Sequence, residues 1–219
     1  MNSPMLQLLV LAGIAIFLVL RLRSVLGTRE GYERPHETPK GIEDERKRKF
    51  DVIEGGPDRD ITDHAEEGSD TAKALARMKA REPSFSVSEF LGGARAAYEM
   101  ILMGFERGDL AEIKPFLSDE LYEVFAQFVE EREKKGFKVE AEFVGVRELS
   151  IHDADFHDAS GTAEITVKFI GNLTYVVRDN AGEIVEGKEG KIKTQKDIWT
   201  FERLMGGDDP NWILVATGE

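Results

Sequence analysis

Ala163-Glu164-Ile165-Thr166-Val167-Lys168-Phe169 is the stretch that decides the fold. Apolar and polar side chains alternate without a break, the period of a strand with one face on a core and the other in water. Phe137-Lys138-Val139-Glu140-Ala141-Glu142-Phe143 carries the same pattern upstream, and no carboxylate enters the apolar phase of either run. Leu173 to Arg178 extends the second run past Gly171, which reads as the site of a bulge. Asp179-Asn180-Ala181-Gly182 then supplies turn chemistry before a third strand, roughly Lys188 to Leu204. Asp209-Pro210-Asn211 has proline at the second position of a type I turn and leads into a last strand with Trp212, Leu214 and Ala216 on one side.

Upstream of these strands the period lengthens from 2 to 3.6. Ser86 and Glu89 fit a capping box, and Phe85 and Phe90 occupy the two positions of a hydrophobic staple, so a helix starts at Ser86. Its apolar stripe runs Phe90, Ala94, Ala97, Tyr98, Ile101, Leu102 and Phe105, and Gly108 ends it. After Asp109 to Leu117, Ser118 caps another helix, with Leu121, Val124, Phe125, Phe128 and Val129 on one face before Gly136. Gly92-Gly93 falls inside the first of these helices, where small residues permit close packing. Helices followed by an antiparallel meander define an α+β domain over residues 84–219, a curved sheet wrapped on two or three helices.

The C-terminal strings Asp197-Ile198-Trp199-Thr200-Phe201-Glu202-Arg203 and Asp209-Pro210-Asn211-Trp212-Ile213-Leu214-Val215-Ala216-Thr217 resemble the closing signature of the Tim-forty-four-like family. Gly92-Gly93-Ala94 with Gly108-Asp109 is similar too, as is Leu20-Arg21-Leu22-Arg23-Ser24-Val25-Leu26-Gly27, which resembles the bacterial, TimA-type, membrane-anchored members. The resemblance implies a nuclear transport factor two-like cone over residues 84–219. It also implies a non-catalytic, membrane-tethered adaptor or scaffold that binds a protein or a lipid, linked to protein transport or membrane-complex assembly.

Towards the N-terminus, Ser69 and Asp70 open a short amphipathic helix over 69–82, with Lys79 and Arg81 in its last turn and Pro83 stopping it. Its thin apolar face, Thr71, Ala74, Leu75 and Met78, could lie on lipid, dock on a protein or pack on its own domain. Residues 27–68 are charged, punctuated by Gly and Pro and poor in apolar side chains, the composition of a flexible linker. Arg46-Lys47-Arg48-Lys49 within it is either a solvated charge run or a contact for anionic headgroups.

From Met5 to Leu20 there is no charge and one polar side chain, Gln7. Sixteen residues at about 1.5 Å each give roughly 24 Å of helix, so residues 5–22 just cross a hydrocarbon core with Arg21 and Arg23 snorkelling. Leu6, Leu9, Ile14, Phe17 and Leu20 are the expected lipid-facing side chains. A cleaved signal peptide would need positive charge before the run and small residues after it, and the flanks have neither. Arg21, Arg23, Arg29 and Arg34 all follow the span, so the expectation is a single-pass protein of a bacterial inner membrane, N-terminus out and C-terminal domain cytoplasmic.

The net charge of −13 is unevenly spread: residues 29–82 contribute −3 and residues 83–219 contribute −12. Phosphate backbones repel such a domain, so nucleic acid is not an expected partner. The absence of cysteine excludes disulfides, thiol nucleophiles and cysteine-bound metal. The expected contact surface for an unidentified protein partner, an anionic lipid or an acyl chain joins Leu75, Arg77 and Met78 of the short helix to Tyr98, Phe105, Phe128, Trp199 and Phe201 in the hollow of the cone. No catalytic residue, cofactor or metal is assigned. The alternative is a pocket enzyme of the isomerase or dehydratase type. Asp197 shares the phase of Trp199 and Phe201 and would act with Tyr98, although an Asp paired with a base beside a core tyrosine explains both residues equally. His152-Asp153-Ala154-Asp155-Phe156-His157-Asp158 concentrates metal-ligand types, but it lacks the glycine and distal glutamate of a calcium loop and reads as a turn between strands.

Overall fold

A computed structural model describes residues 58–218. The expected anchor over 5–22, with Leu6, Leu9, Ile14, Phe17, Leu20, Arg21 and Arg23, lies outside the described residues, as do the linker as far as residue 57 and its Arg46–Lys49 run. Among the described residues no helix is long and apolar enough to cross a membrane.

Within that range five α-helices precede four strands: α1 (Arg59–Thr62), α2 (Asp70–Arg81), α3 (Val87–Arg107), α4 (Leu110–Ile113), a 3-10 turn at Lys114–Phe116, α5 (Asp119–Lys134), then β1 (Lys138–His157), β2 (Thr162–Arg178), β3 (Ile184–Leu204) and β4 (Ile213–Gly218). The sheet runs β1-β2-β3-β4, every pair antiparallel. The α+β order expected from the two periodicities is the one observed. Ser69, Ser86 and Ser118 each cap their helix through the side-chain oxygen, and Gly108 closes α3 at φ 78°. That left-handed value is cheap only for glycine.

The linker does not extend to residue 68, as its composition led us to expect: from Asp58 onward the chain is folded. Ile61 is buried, and the Asp60 carboxylate accepts the N–H groups of Val87 (2.8 Å) and Ser88 (2.9 Å) and meets Lys79 at 2.8 Å. An acid at the start of α3 satisfies its orphan donors and complements its dipole, which is why this segment folds despite its polar composition.

Gly171 is not a bulge. It pairs in register with Val146 and Gln195, and the shifts lie on β1, at Phe143/Gly145, Val146/Glu148 and Ile151/Asp153. What demands a glycine there is Tyr98, whose hydroxyl oxygen lies 2.6 Å from where a Cβ would be. Gly92 and Gly93 permit no close packing, since a Cβ on either would meet nothing within 4 Å; the tight glycine of α3 is Gly104, against Ile113. The stretch from His152 to His157 is strand, not turn. Ala154 and Phe156 face the core while Asp153 and Asp155 stay exposed.

Candidate functional site

The two C-terminal strings singled out in the sequence converge on one side chain. Arg203, at the end of β3, forms an ion pair through Nη2 with Glu82, donates from Nη1 to the carbonyl of Pro210 (3.2 Å) and lies 5.4 Å from the ring centre of Trp212. Its side chain is 9% exposed, and Nε is buried without an acceptor. Glu82 also accepts the N–H of Gly206 (2.9 Å). The hydrogen bond from Arg203, followed by that from Gly206, holds the Glu82 carboxyl below the usual carboxylate range. A guanidinium taken this far out of water needs its fork satisfied, and only part of it is.

This frame walls a groove of about 460 Å³ between the N-terminal half of α3 and the turn that leads into β4. Phe85, Phe90, Ala97, Met100, Phe116 and Trp212 make it apolar; Ser84, Glu89, Asn211 and Arg203 supply polar edges. Phe85 and Phe90, the expected staple pair, meet through Trp212, at 6.0 and 4.7 Å between ring centres. Gly93 lines the groove, so the absence of a side chain there keeps the space open.

Tyr98 and Asp197, the pair named for an enzymatic pocket, are brought together. The phenol donates to the carboxylate at 2.5 Å, and the same oxygen accepts from Gln195 Nε2 at 2.8 Å. Tyr98 stacks on Phe169 (4.3 Å, 6°) and is fully buried. Burial first, and then the carboxylate, push its ionisation far above the ordinary tyrosine value. Where the sequence suggested a base beside Asp197, the fold places a phenol and an amide, and the oxygen a catalytic base would use is already engaged.

The surface expected from Leu75, Met78, Tyr98, Trp199 and Phe201 is largely interior. Leu75 and Met78 have no exposure because α2 packs on β1, which settles its three possible roles in favour of its own domain. Tyr98, Trp199 and Phe201 are core residues, and of these Phe201 borders the groove. Phe105 and Phe128 are half-buried, and Phe105 contacts Phe125 at 4.7 Å. Arg77 is exposed and pairs with Asp158 at 3.0 Å. Among the described residues no three His, Asp or Glu side chains converge as metal ligands.

Sequence reasoning missed Glu106 as well. It sits beside Arg132 (3.6 Å), 12% exposed, and burial foremost pushes its carboxyl up to about 6, with Glu186 and Asp197 adding to the rise and Arg132 and Lys193 opposing it. Its position next to Phe105 on the stripe of α3 was the available signal. An acid adjoining an apolar stripe marks a half-buried boundary.

Helices covering a four-stranded antiparallel meander, with an apolar groove framed by a nearly buried arginine, define an α+β domain built to hold a ligand or partner against its side. Residues 71–219 match the Tim44-like domain, and the chain belongs to that family. It is 26% identical over 152 residues to the mitochondrial import inner membrane translocase subunit TIM44-1 of Arabidopsis thaliana, a match that takes in 67% of this chain and 32% of that relative. The chain thus spans about a third of the relative's length. Among solved structures, the intermembrane space region of the chloroplast protein ARC6 aligns at a TM-score of 0.39 and 10% identity, covering 56% of this chain and 88% of that one. That likeness is too slight to bear on fold or function.

Proposed function

We propose that this protein is a non-catalytic, membrane-associated adaptor whose groove holds a segment of a protein partner, in the setting of protein transport or membrane-complex assembly. The observation that carries the reading is the groove itself, walled by the two strings that resemble the family signature and lined by an arginine with one buried N–H lacking an acceptor. An apolar side chain of the partner fills the space between Phe90, Met100 and Trp212, and a carbonyl beside it accepts from Arg203 Nε. A buried donor left unpaired costs about 1–3 kcal/mol, so an acceptor there favours the bound state. The engaged carboxylate of Asp197 supports a structural rather than a catalytic role.

In the same proposal, residues 5–22 hold the domain at a bacterial inner membrane as a TimA-type single-pass anchor with the N-terminus outside. Restricting the domain to the shell beside the bilayer raises its effective concentration at membrane partners.

The test is a photo-crosslinking side chain at Asn211 in the full chain, in its native membrane. A discrete protein adduct is expected, and Gly93→Phe, which fills the groove where a Cβ meets nothing, abolishes it without lowering thermal stability. Adducts that persist unchanged in Gly93→Phe, or that consist only of lipid, overturn the proposal.

A further inference from the structure

We infer that the β2–β3 hairpin end is a second contact site, one that touches the face of an anionic bilayer and orients the domain on it. β4 pairs with β3 only from Ile198 to Glu202, so among the described residues no strand covers the outer edge of β3 from Ile184 to Asp197. Three of the most exposed large apolar side chains lie in this short segment: Ile184 (40%), Val185 (48%) and Ile192 (52%).

The local charge is opposite to that of the domain. Between residues 184 and 196 stand Lys188, Lys191, Lys193 and Lys196 against Glu186 and Glu189, whereas residues 83–219 carry −12. Glu189 is taken up by Arg178, and Lys193 lies over the Tyr175 ring at 4.7 Å. Lys188, Lys191 and Lys196 form no ion pair among the described residues, which leaves their charge available.

The backbone is shaped to present them. Val176 pairs with Gly187 and Thr174 with Ile192, so the four residues Lys188 to Lys191 stand opposite Tyr175 alone. Gly187 (φ 79°) turns the chain out of the ladder at a point where a Cβ would lie 2.1 Å from the Tyr175 carbonyl oxygen.

Charge and apolarity together select the occupant. Lysines and a bulge on a free edge also guard against strand pairing, but a guarded edge gains nothing from exposed isoleucines. A second copy docked edge to edge would set lysine against lysine. A phosphate backbone would be met by the lysines but not by Ile184 and Ile192. An anionic bilayer meets both: headgroups attract the ammonium groups, and the interface takes up the branched side chains. The site is independent of the groove, which lies between α3 and the turn before β4.

The chain has no cysteine, so Ile192→Cys in the full chain carries a single nitrobenzoxadiazole label at the hairpin. Val185→Cys provides a second position, and Glu130→Cys on the exposed face of α5 provides the control. With the protein on phosphatidylcholine–phosphatidylglycerol vesicles, both hairpin labels shift to the blue and brighten, and the control does not. On phosphatidylcholine alone none shifts. Replacing Lys188 and Lys191 by Gln lowers the ratio of docked to undocked label about five-fold per lysine, the equivalent of about 1 kcal/mol for each charge at an anionic surface. Hairpin labels that behave like the control, that respond equally on neutral vesicles, or that are indifferent to the lysine substitutions overturn the inference. So does ready disulfide formation between two unlabelled copies of the Ile192→Cys variant at the expense of the lipid response.

Discussion

Gly171→Ala tests the packing that fixes the centre of the domain. A Cβ at residue 171 would sit 2.6 Å from the Tyr98 hydroxyl oxygen, 3.0 Å from Cε1 and 3.2 Å from Cζ. The ring cannot step aside: Phe169 stacks against it at 4.3 Å, and Asp197 holds the hydroxyl at 2.5 Å. Overpacking of this kind costs about 1–3 kcal/mol, and loosening a hydrogen bond to a carboxylate adds about 1.5–3 kcal/mol if it is lost outright. Because the two overlap, the expected destabilisation is about 3 kcal/mol, or roughly 6–12 °C in Tm for a domain of this size. The informative measurement is a double-mutant cycle by chemical denaturation. Tyr98→Phe removes the oxygen that clashes and relieves the worst contact, so Gly171→Ala should cost only about 1 kcal/mol in that background, a coupling of about 2 kcal/mol. Equal costs in the two backgrounds would refute the argument and show that residue 171 is glycine for some other reason.

The two acids Asp60 and Glu106 should respond to pH in opposite directions. Asp60→Ala removes the acceptor for Val87 N–H, Ser88 N–H and Lys79 and should destabilise by about 3 kcal/mol at neutral pH, given two or three charge-assisted bonds that are not additive. Burial alone would raise the Asp60 carboxyl, but Lys79 and Ser88 lead the groups that lower it well below its ordinary 3.8. Its contribution is therefore complete above that value and lost as the pH falls below it, so urea midpoints of wild type and variant should converge in acid. Glu106 has the opposite sign. With its carboxyl raised from 4.5 to about 6, folding favours the protonated form, and stability falls as the pH rises from 4.5 through 6. Glu106→Gln should gain about 2 kcal/mol at pH 7 and nothing below pH 4.5, read from denaturation midpoints across that range.

Much of the architecture was legible because local rules and the fold agree. The serine caps, the stripe of α3 and the alternation of β2 each pointed to the element that forms. Other features were legible only as residues, without their partners. Asp197 and Tyr98 were singled out together, yet the sequence offered a base as the partner of the acid, whereas the fold supplies a phenol and Gln195. The apolar face of α2 was plain, but whether lipid, a partner or its own sheet covers it depends on where the chain after Pro83 returns. Asp60 was read as linker because composition counts apolar residues, and a single carboxylate on the donors at the start of α3 does not register in such a count.

The sequence alone determined the periods: which stretches are helix or strand, where they begin, and that the strands follow the helices in an antiparallel meander. These follow from backbone geometry and nearest-neighbour chemistry, which act over a few residues. Tertiary structure alone decided which side chains meet. The convergence of Glu82, Arg203, Pro210 and Trp212 on one groove, the need for glycine at 171 and the burial of Glu106 all depend on contacts between residues far apart in the chain. No local pattern encodes such contacts, because their energies arise from packing and desolvation after the elements have come together.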